Sequence, residues 1–231
     1  MKFFDSLIVE TDKLISSFHK RILRNDSVWN DIGQNQVIMR RDTVFELDGV
    51  GFNLVTSDDV SDEIILIGDN LGEIRENRKF ARITVVGIED TDEQKAYNLI
   101  KKIDYVKYHT FPDGYMMRST SRSHKEAVRV SKSAVKDGID FGAVGSLLIE
   151  KYKEIPSVKG VRLIFITTPE ADYSQAERIA NKNYEITETL NHVMNSVTFD
   201  CDTCNLKAIC DEVEGMKELH FNKTDNISRI R

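Results

Sequence analysis

Cysteine, proline and tryptophan are scarce in this chain: 231 residues hold 3 Cys, 3 Pro and 1 Trp. An odd handful of cysteines without a secretory leader excludes a disulfide scaffold and points to a reducing, cytoplasmic setting. Long hydrophobic runs are missing too. The opening MKFFDSLIVETDKLISSFHKRILRN breaks its apolar residues with Asp5, Glu10 and Asp12, so neither a signal peptide nor a membrane span is expected. Positive charge is in deficit, with 32 Lys and Arg against 38 Asp and Glu and a net charge of −6. No global feature therefore favours nucleic acid or an anionic membrane surface. Internal repeats and low-complexity tracts are absent. The remainder, 40% hydrophobic and 30% charged, is the composition of a soluble folded chain long enough to bury a proper core.

The few cysteines are not scattered. All three fall in the run Cys201-Asp-Thr-Cys204-Asn-Leu-Lys-Ala-Ile-Cys210, and His220 follows, giving the spacing C-x2-C-x5-C-x9-H. Thiolates suit soft or borderline metals, and a C-x2-C turn aims two sulfurs at one point. Cys201, Cys204, Cys210 and His220 together make a ligand set for tetrahedral zinc or for an iron–sulfur cluster. The alternative is a group of ordinary buried thiols, which pack like small hydrophobes.

Periodicity divides the chain into elements. Residues 1–26 read as an N-terminal amphipathic helix, its apolar stripe running through 2–24. Residues 27–197 read as a layered α/β or α+β domain with a mixed sheet flanked by helices. Strands are expected at 36–41, 44–47, 52–56, 63–67, 80–88, 114–119 and 161–167, with a turn at Asp48-Gly49 between the second and third. Helices are expected at 92–103, 123–138, 141–155 and 171–196, with Ser123 capping the second and Gly138 stopping it. Residues 198–221 form the cysteine and histidine loop, and 222–231 a polar tail.

One basic, hydroxyl-rich island stands out in this acidic chain at residues 118–136. On the expected helix, Lys125, Arg129, Lys132 and Lys136 line up on one face, with Arg118 and Arg122 in the loop before it. That arrangement would favour an anion at a helix N-terminus; a plain solvated basic face is the alternative. Gly68-Asp-Asn-Leu-Gly72 follows a strand but fits no phosphate-loop pattern and reads as a turn. Asp58, Asp59, Asp62 and Glu63 read as an acidic loop surface. No partner is identifiable for His19, His109, His124 or His192, and no catalytic triad or paired-carboxylate site rises above chance.

From about residue 63 to 220 the chain resembles the middle domain, and the start of the cluster-binding loop, of the acetyl-CoA synthase beta subunit of the CO dehydrogenase/acetyl-CoA synthase complex. The resemblance is carried by Val130-Ser131-Lys132 within AVRVSKSAVKDGIDFGAVGSLLIEKYKEIP, by the strand RLIFITTP, and by a long helix leading into Cys201-x-x-Cys204. In that family four cysteines hold a 4Fe-4S cubane bridged to nickel. Cys201, Cys204 and Cys210 fall where the first three would lie, and His220 where the fourth would. The family's Cys-Gly-Cys nickel motif is missing from this sequence, as is its N-terminal docking domain, so acetyl-CoA synthesis by this chain alone is not expected. The resemblance also associates the basic island with coenzyme A, through Arg118, Arg122, Arg129 and Lys132. The family's tryptophan there has no counterpart, and Tyr115 or Met116 stands near its place.

Three functions are expected from these features. The first is a stand-alone acetyl-CoA-synthase-like accessory protein, holding a 4Fe-4S cluster or zinc through Cys201, Cys204, Cys210 and His220. Its setting would be the one-carbon, corrinoid-linked metabolism of an anaerobe, with CO dehydrogenase, a corrinoid protein or another metalloprotein as partner. The second is an acyl- or methyl-transfer component that binds coenzyme A and completes its metal site with a partner chain. The third is a structural zinc-binding interaction module.

Overall fold

The computed structural model describes residues 2–120, 124–195, 206–213 and 216. In chain order its elements are α1 (Asp5–Leu14), β1 (Arg21–Leu23), β2 (Thr43–Thr56), β3 (Glu63–Ile67), β4 (Arg78–Ile88), α2 (Glu93–Val106), β5 (Tyr115–Ser119), β6 (Lys125–Ser131), α3 (Lys132–Lys136), α4 (Phe141–Lys153), β7 (Val158–Ile166), α5 (Tyr173–Asn195) and α6 (Lys207–Glu212). The strands form one seven-stranded mixed sheet in the order β1-β3-β7-β4-β2-β6-β5. Two pairs, β2 with β4 and β3 with β7, run parallel and the others antiparallel. The inner strands β3, β4 and β7 are near-continuous apolar runs because helices cover both their faces.

Register decides which side chains share a face, since the pleat has period two. One face carries Gly51 and Asn53 of β2, Phe80, Arg82 and Thr84 of β4, Glu126 of β6, and Leu163 and Phe165 of β7. Here α4 stacks Phe141 on Phe165 at a ring separation of 4.4 Å, and α2 lies beside it. The opposite face is covered by α1 and α5, with Asp12 of α1 paired to the outward Arg162 at 3.5 Å. Three helix starts are capped as their sequences suggest. Asp92, Ser131 and Asp140 accept hydrogen bonds from the backbone N–H of Lys95, Ala134 and Ala143 at 2.9, 3.1 and 2.7 Å.

Four expectations are corrected. The N-terminal helix stops at Leu14, where Ser16 Oγ donates back to the Lys13 carbonyl at 2.8 Å, and Arg21–Leu23 become an edge strand on β3. No strand forms at 36–41, where Arg40–Asp42 is a 3-10 turn and Gln36 is held by its side chain to the Pro112 carbonyl at 2.7 Å. Asp48-Gly49 is not a turn, because β2 runs unbroken for 14 residues. Gly49 serves close approach instead, as a Cβ there would lie 1.7 Å from the Phe80 carbonyl oxygen.

The fourth correction bears on the basic island. Lys125–Ser131 are a strand, not a helix. Glu126, Val128 and Val130 are buried while Lys125 and Ala127 point out, an alternation of period two that only tertiary burial reveals. Helix begins at Lys132, capped by Ser131. The expected cap, Ser123, lies outside the described residues. No single helical face therefore carries Lys125, Arg129, Lys132 and Lys136.

Candidate functional site

Strand β6 pairs with β2 only from Thr43 to Val50, so the second half of β2 presents an unladdered edge. Where β6 begins, the Gly51 N–H donates to the His124 carbonyl at 2.8 Å. Farther along, the Asn53 carbonyl accepts from Asn183 Nδ2 of α5 at 3.0 Å. At this edge α2, from one face, and α5, from the other, come together around a cavity of about 500 Å³. That volume is in the ordinary range for a small-molecule pocket.

His124 lines this cavity. Its backbone sits in the left-handed region with φ 47, a conformation uncommon for residues other than glycine and one that marks sites of local strain. The ring is only 6% exposed and lies between Phe52 and the edge-on Tyr184, each 6.3 Å away between ring centres. Nδ1 is 3.4 Å from Lys107 Nζ, and Nε2 is buried with no hydrogen-bond partner among the described residues. Burial, and then the neighbouring Lys107 charge, push the imidazole down to about 4, so it is neutral near pH 7. Lys107 is buried as well, and burial lowers it while Asp104 resists the shift. The Asp104 carboxylate of α2 lies 2.7 Å from the ammonium of Lys107, the residue that caps the helix C-terminus three positions on.

Behind this group is a charged network with no exposure. Glu126 accepts from Arg82 at both oxygens, Nε to Oε1 at 2.9 Å and Nη2 to Oε2 at 2.8 Å, and both side chains are 0% exposed. Burial disfavours the Arg82 charge, and Glu126 more than offsets this, holding the guanidinium above its ordinary value. Glu126 reaches Arg82 across Gly51, where a Cβ would lie 1.9 Å from its carboxylate. Ser119 donates to Glu126 at 3.0 Å and Arg82 donates to Thr84 at 2.7 Å. Asn53 bridges to the cavity: its Oδ1 accepts from Tyr152 at 2.8 Å and its Nδ2 donates to Asp104 at 3.3 Å. A continuous polar chain thus runs from the centre of the sheet to His124.

The residues singled out from sequence are placed as follows. Cys210 is half-buried on α6, packed against the core, and α6 is tied to α5 by the Lys182–Glu212 pair. Cys201, Cys204 and His220 lie outside the described residues, and among the described residues no group of three or more His, Cys, Asp or Glu is gathered for a metal. Arg118 is exposed on β5. Arg129 occupies the same sheet face but is paired with Glu46 at 2.7 Å. Lys132 Nζ donates to the Arg41 carbonyl at 2.7 Å, and Arg122 is outside the described residues. Gly68-Asp-Asn-Leu-Gly72 is a turn whose Asn70 N–H donates to Glu73 at 2.6 Å. In the acidic loop, Asp62 accepts from Val161 N–H at 2.9 Å and from Lys153 at 3.1 Å.

Sequence reading missed His124, Lys107, Asp104 and Asn53. One signal was available, the Asp104 and Lys107 spacing of i,i+3 on a helix; nothing local joined them to a histidine beyond the next strand. Compared with known proteins, the chain matches the model of the family described as CO dehydrogenase/acetyl-CoA synthase complex beta subunit over residues 29–171, more than half its length. No curated protein matches it. The matched span includes Asn53, Arg82, Asp104, Lys107, His124 and Glu126, and stops before α5 and the cysteine loop.

Proposed function

Because the chain belongs to the CO dehydrogenase/acetyl-CoA synthase complex beta subunit family, we propose that it is an acetyl-CoA-synthase-like accessory component that carries a metal centre through Cys201, Cys204, Cys210 and His220. The observation that carries this reading is the family match over residues 29–171, followed by a cysteine run of ligand spacing. The donor set fits the group chemically. Three thiolates and an imidazole satisfy a 4Fe-4S cluster or a closed tetrahedral zinc shell. Among the four donors, Cys210 belongs to a short helix anchored on α5, which gives the loop one fixed point against the sheet.

When bound, an iron–sulfur cluster would supply one-electron transfer, with a potential set by the neutral imidazole in place of a fourth thiolate; zinc would supply only structural closure. Cys201, Cys204, Cys210 and His220 would hold the group, and of these Cys210 lies on α6, which packs on α5. The partner this reading implies is CO dehydrogenase or a corrinoid protein of the same complex. The setting it implies is one-carbon metabolism.

Anaerobic purification with metal analysis and a visible spectrum tests the proposal. Iron with broad visible absorbance, or close to one zinc per chain, is the expected result, and a Cys201→Ser/Cys204→Ser variant should lose it. Equal metal content in the two proteins would sink the reading.

A further inference from the structure

A neutral imidazole that uses one nitrogen and buries the other is an incomplete hydrogen-bonding unit, because burying a polar group without a partner costs about 1–3 kcal/mol. Lys107, placed between Asp104 at 2.7 Å and His124 Nδ1 at 3.4 Å, is an ammonium and can only donate. Nδ1 is therefore the acceptor, and the hydrogen sits on Nε2. The unpartnered Nε2–H belongs to a side chain more than nine-tenths buried that lines the cavity. The strained φ of 47 at the same residue is the kind of backbone outlier that surrounding structure retains at ligand sites.

The rest of the wall specifies the ligand's charge. Lys101, over the Tyr97 ring, and Glu188 both line the cavity, and Asp104 there is paired with Lys107 behind the imidazole, so the formal charges cancel. Between these charges stand the amides of Asn53, Asn183 and Asn191, and the apolar surface of Val55 and Ile100. Such a lining suits an uncharged polar molecule, since a bare ion would lose hydration without gaining a counter-charge.

We propose that this cavity binds a small uncharged carbonyl compound of the amide or ester class, whose oxygen accepts a hydrogen bond from Nε2–H of His124. Val55, Ile100 and the Tyr184 ring cover its apolar part. None of the residues that line the site belongs to the cysteine run, and the proposal does not depend on a metal there. Arg82, Glu126, Asp104 and Lys107 are the charged groups around the imidazole, and they hold its tautomer by position.

Nitrogen-15 NMR of the full chain, reading the His124 ring nitrogens, tests this directly. N-methylacetamide is the probe, with acetate and methylammonium as charged controls. For so small a ligand the binding should be millimolar. The amide should give a saturable shift at Nε2, and the two ions none. Thr187→Phe, which fills the cavity from α5, should abolish the response while the fold signature in circular dichroism stays. His124→Asn, whose side chain tolerates the left-handed backbone, should weaken binding about tenfold or more, read from backbone amide shifts of Asn183 and Tyr184. No saturable shift in the wild type, an equal shift with acetate, or unchanged binding by the folded variants would overturn the proposal.

Discussion

Where α4 covers β4 and β7, the sheet face is filled by Phe80, Phe141 and Phe165, whose rings stack at 4.4 to 6.3 Å and are wholly buried. Next to Phe80 on the same face and the same strand, the pattern reverses. Arg82 is equally buried and is matched by Glu126 from two strands away, with Thr84 and Asn53 completing its contacts. The aromatic patch needs volume and tolerates repacking. The polar patch needs every partner present at once, because a half-satisfied buried network is worse than an apolar one. Its extension toward α2 holds the strained, unpartnered His124 beside a cavity. The two patches show that the α4 end of this face is scaffold, while the end near α2 and α5 spends stability on a positioned group.

Removing one charge should have the largest effect. Glu126→Ala leaves Arg82 buried without its carboxylate and should cost about 3–5 kcal/mol in urea unfolding. Substituting both, Arg82→Met with Glu126→Leu, should restore much of that loss, since apolar residues of similar volume avoid the desolvation penalty. A double variant as unstable as the single one would break the comparison, making the polar patch a packing unit like its aromatic neighbour.

Acid comes next. The imidazole of His124 is held down to about 4 from its ordinary 6.5 by burial and Lys107. Between those values the unfolded chain binds a proton that the folded chain refuses. Its contribution is therefore complete above 6.5 and is lost as pH falls toward 4, by up to about 3 kcal/mol. Subtracting the stability profile of His124→Asn from that of the wild type should isolate this slope. Parallel profiles would mean that the ring is not held neutral.

The smallest effect is expected in the aromatic patch. Phe165→Leu should cost about 1–2 kcal/mol, because the neighbouring Phe80 and Phe141 rings can partly close over the lost volume. It should leave the amide response of His124 unchanged. A loss of that response would show that the two halves of the face are coupled.

Much of the architecture was legible from residue pattern alone. The buried runs at 63–67, 80–88 and 161–167 became β3, β4 and β7 with shifts of a few residues at their ends. The helices expected at 92–103 and 141–155 became α2 and α4, which the structure shows to be capped by Asp92 and Asp140. The failures lay where two periods compete. Lys125, Arg129 and Lys132 fit a helical stripe by spacing, yet Glu126, Val128 and Val130 fit an alternating strand. The buried Arg82 decided between them, because Glu126 must face inward to pair with it. Asp48-Gly49 failed similarly, its glycine serving close strand approach rather than a turn.

By itself, the sequence determined the mixed α/β class, the strong inner strands, the family to which the chain belongs, and a cysteine run whose spacing is local by nature. These are properties of periodicity and short-range pattern, readable without knowing what lies across the sheet. Only the tertiary structure decided that Asn53, Arg82, Asp104, Lys107, His124 and Glu126, spread over 74 positions, form one polar chain ending at a cavity. Each is an ordinary residue in sequence. Their burial together, and the charge pairing and strain it enforces, arise from contacts between residues far apart along the chain, and those exist only once the strands have chosen their register.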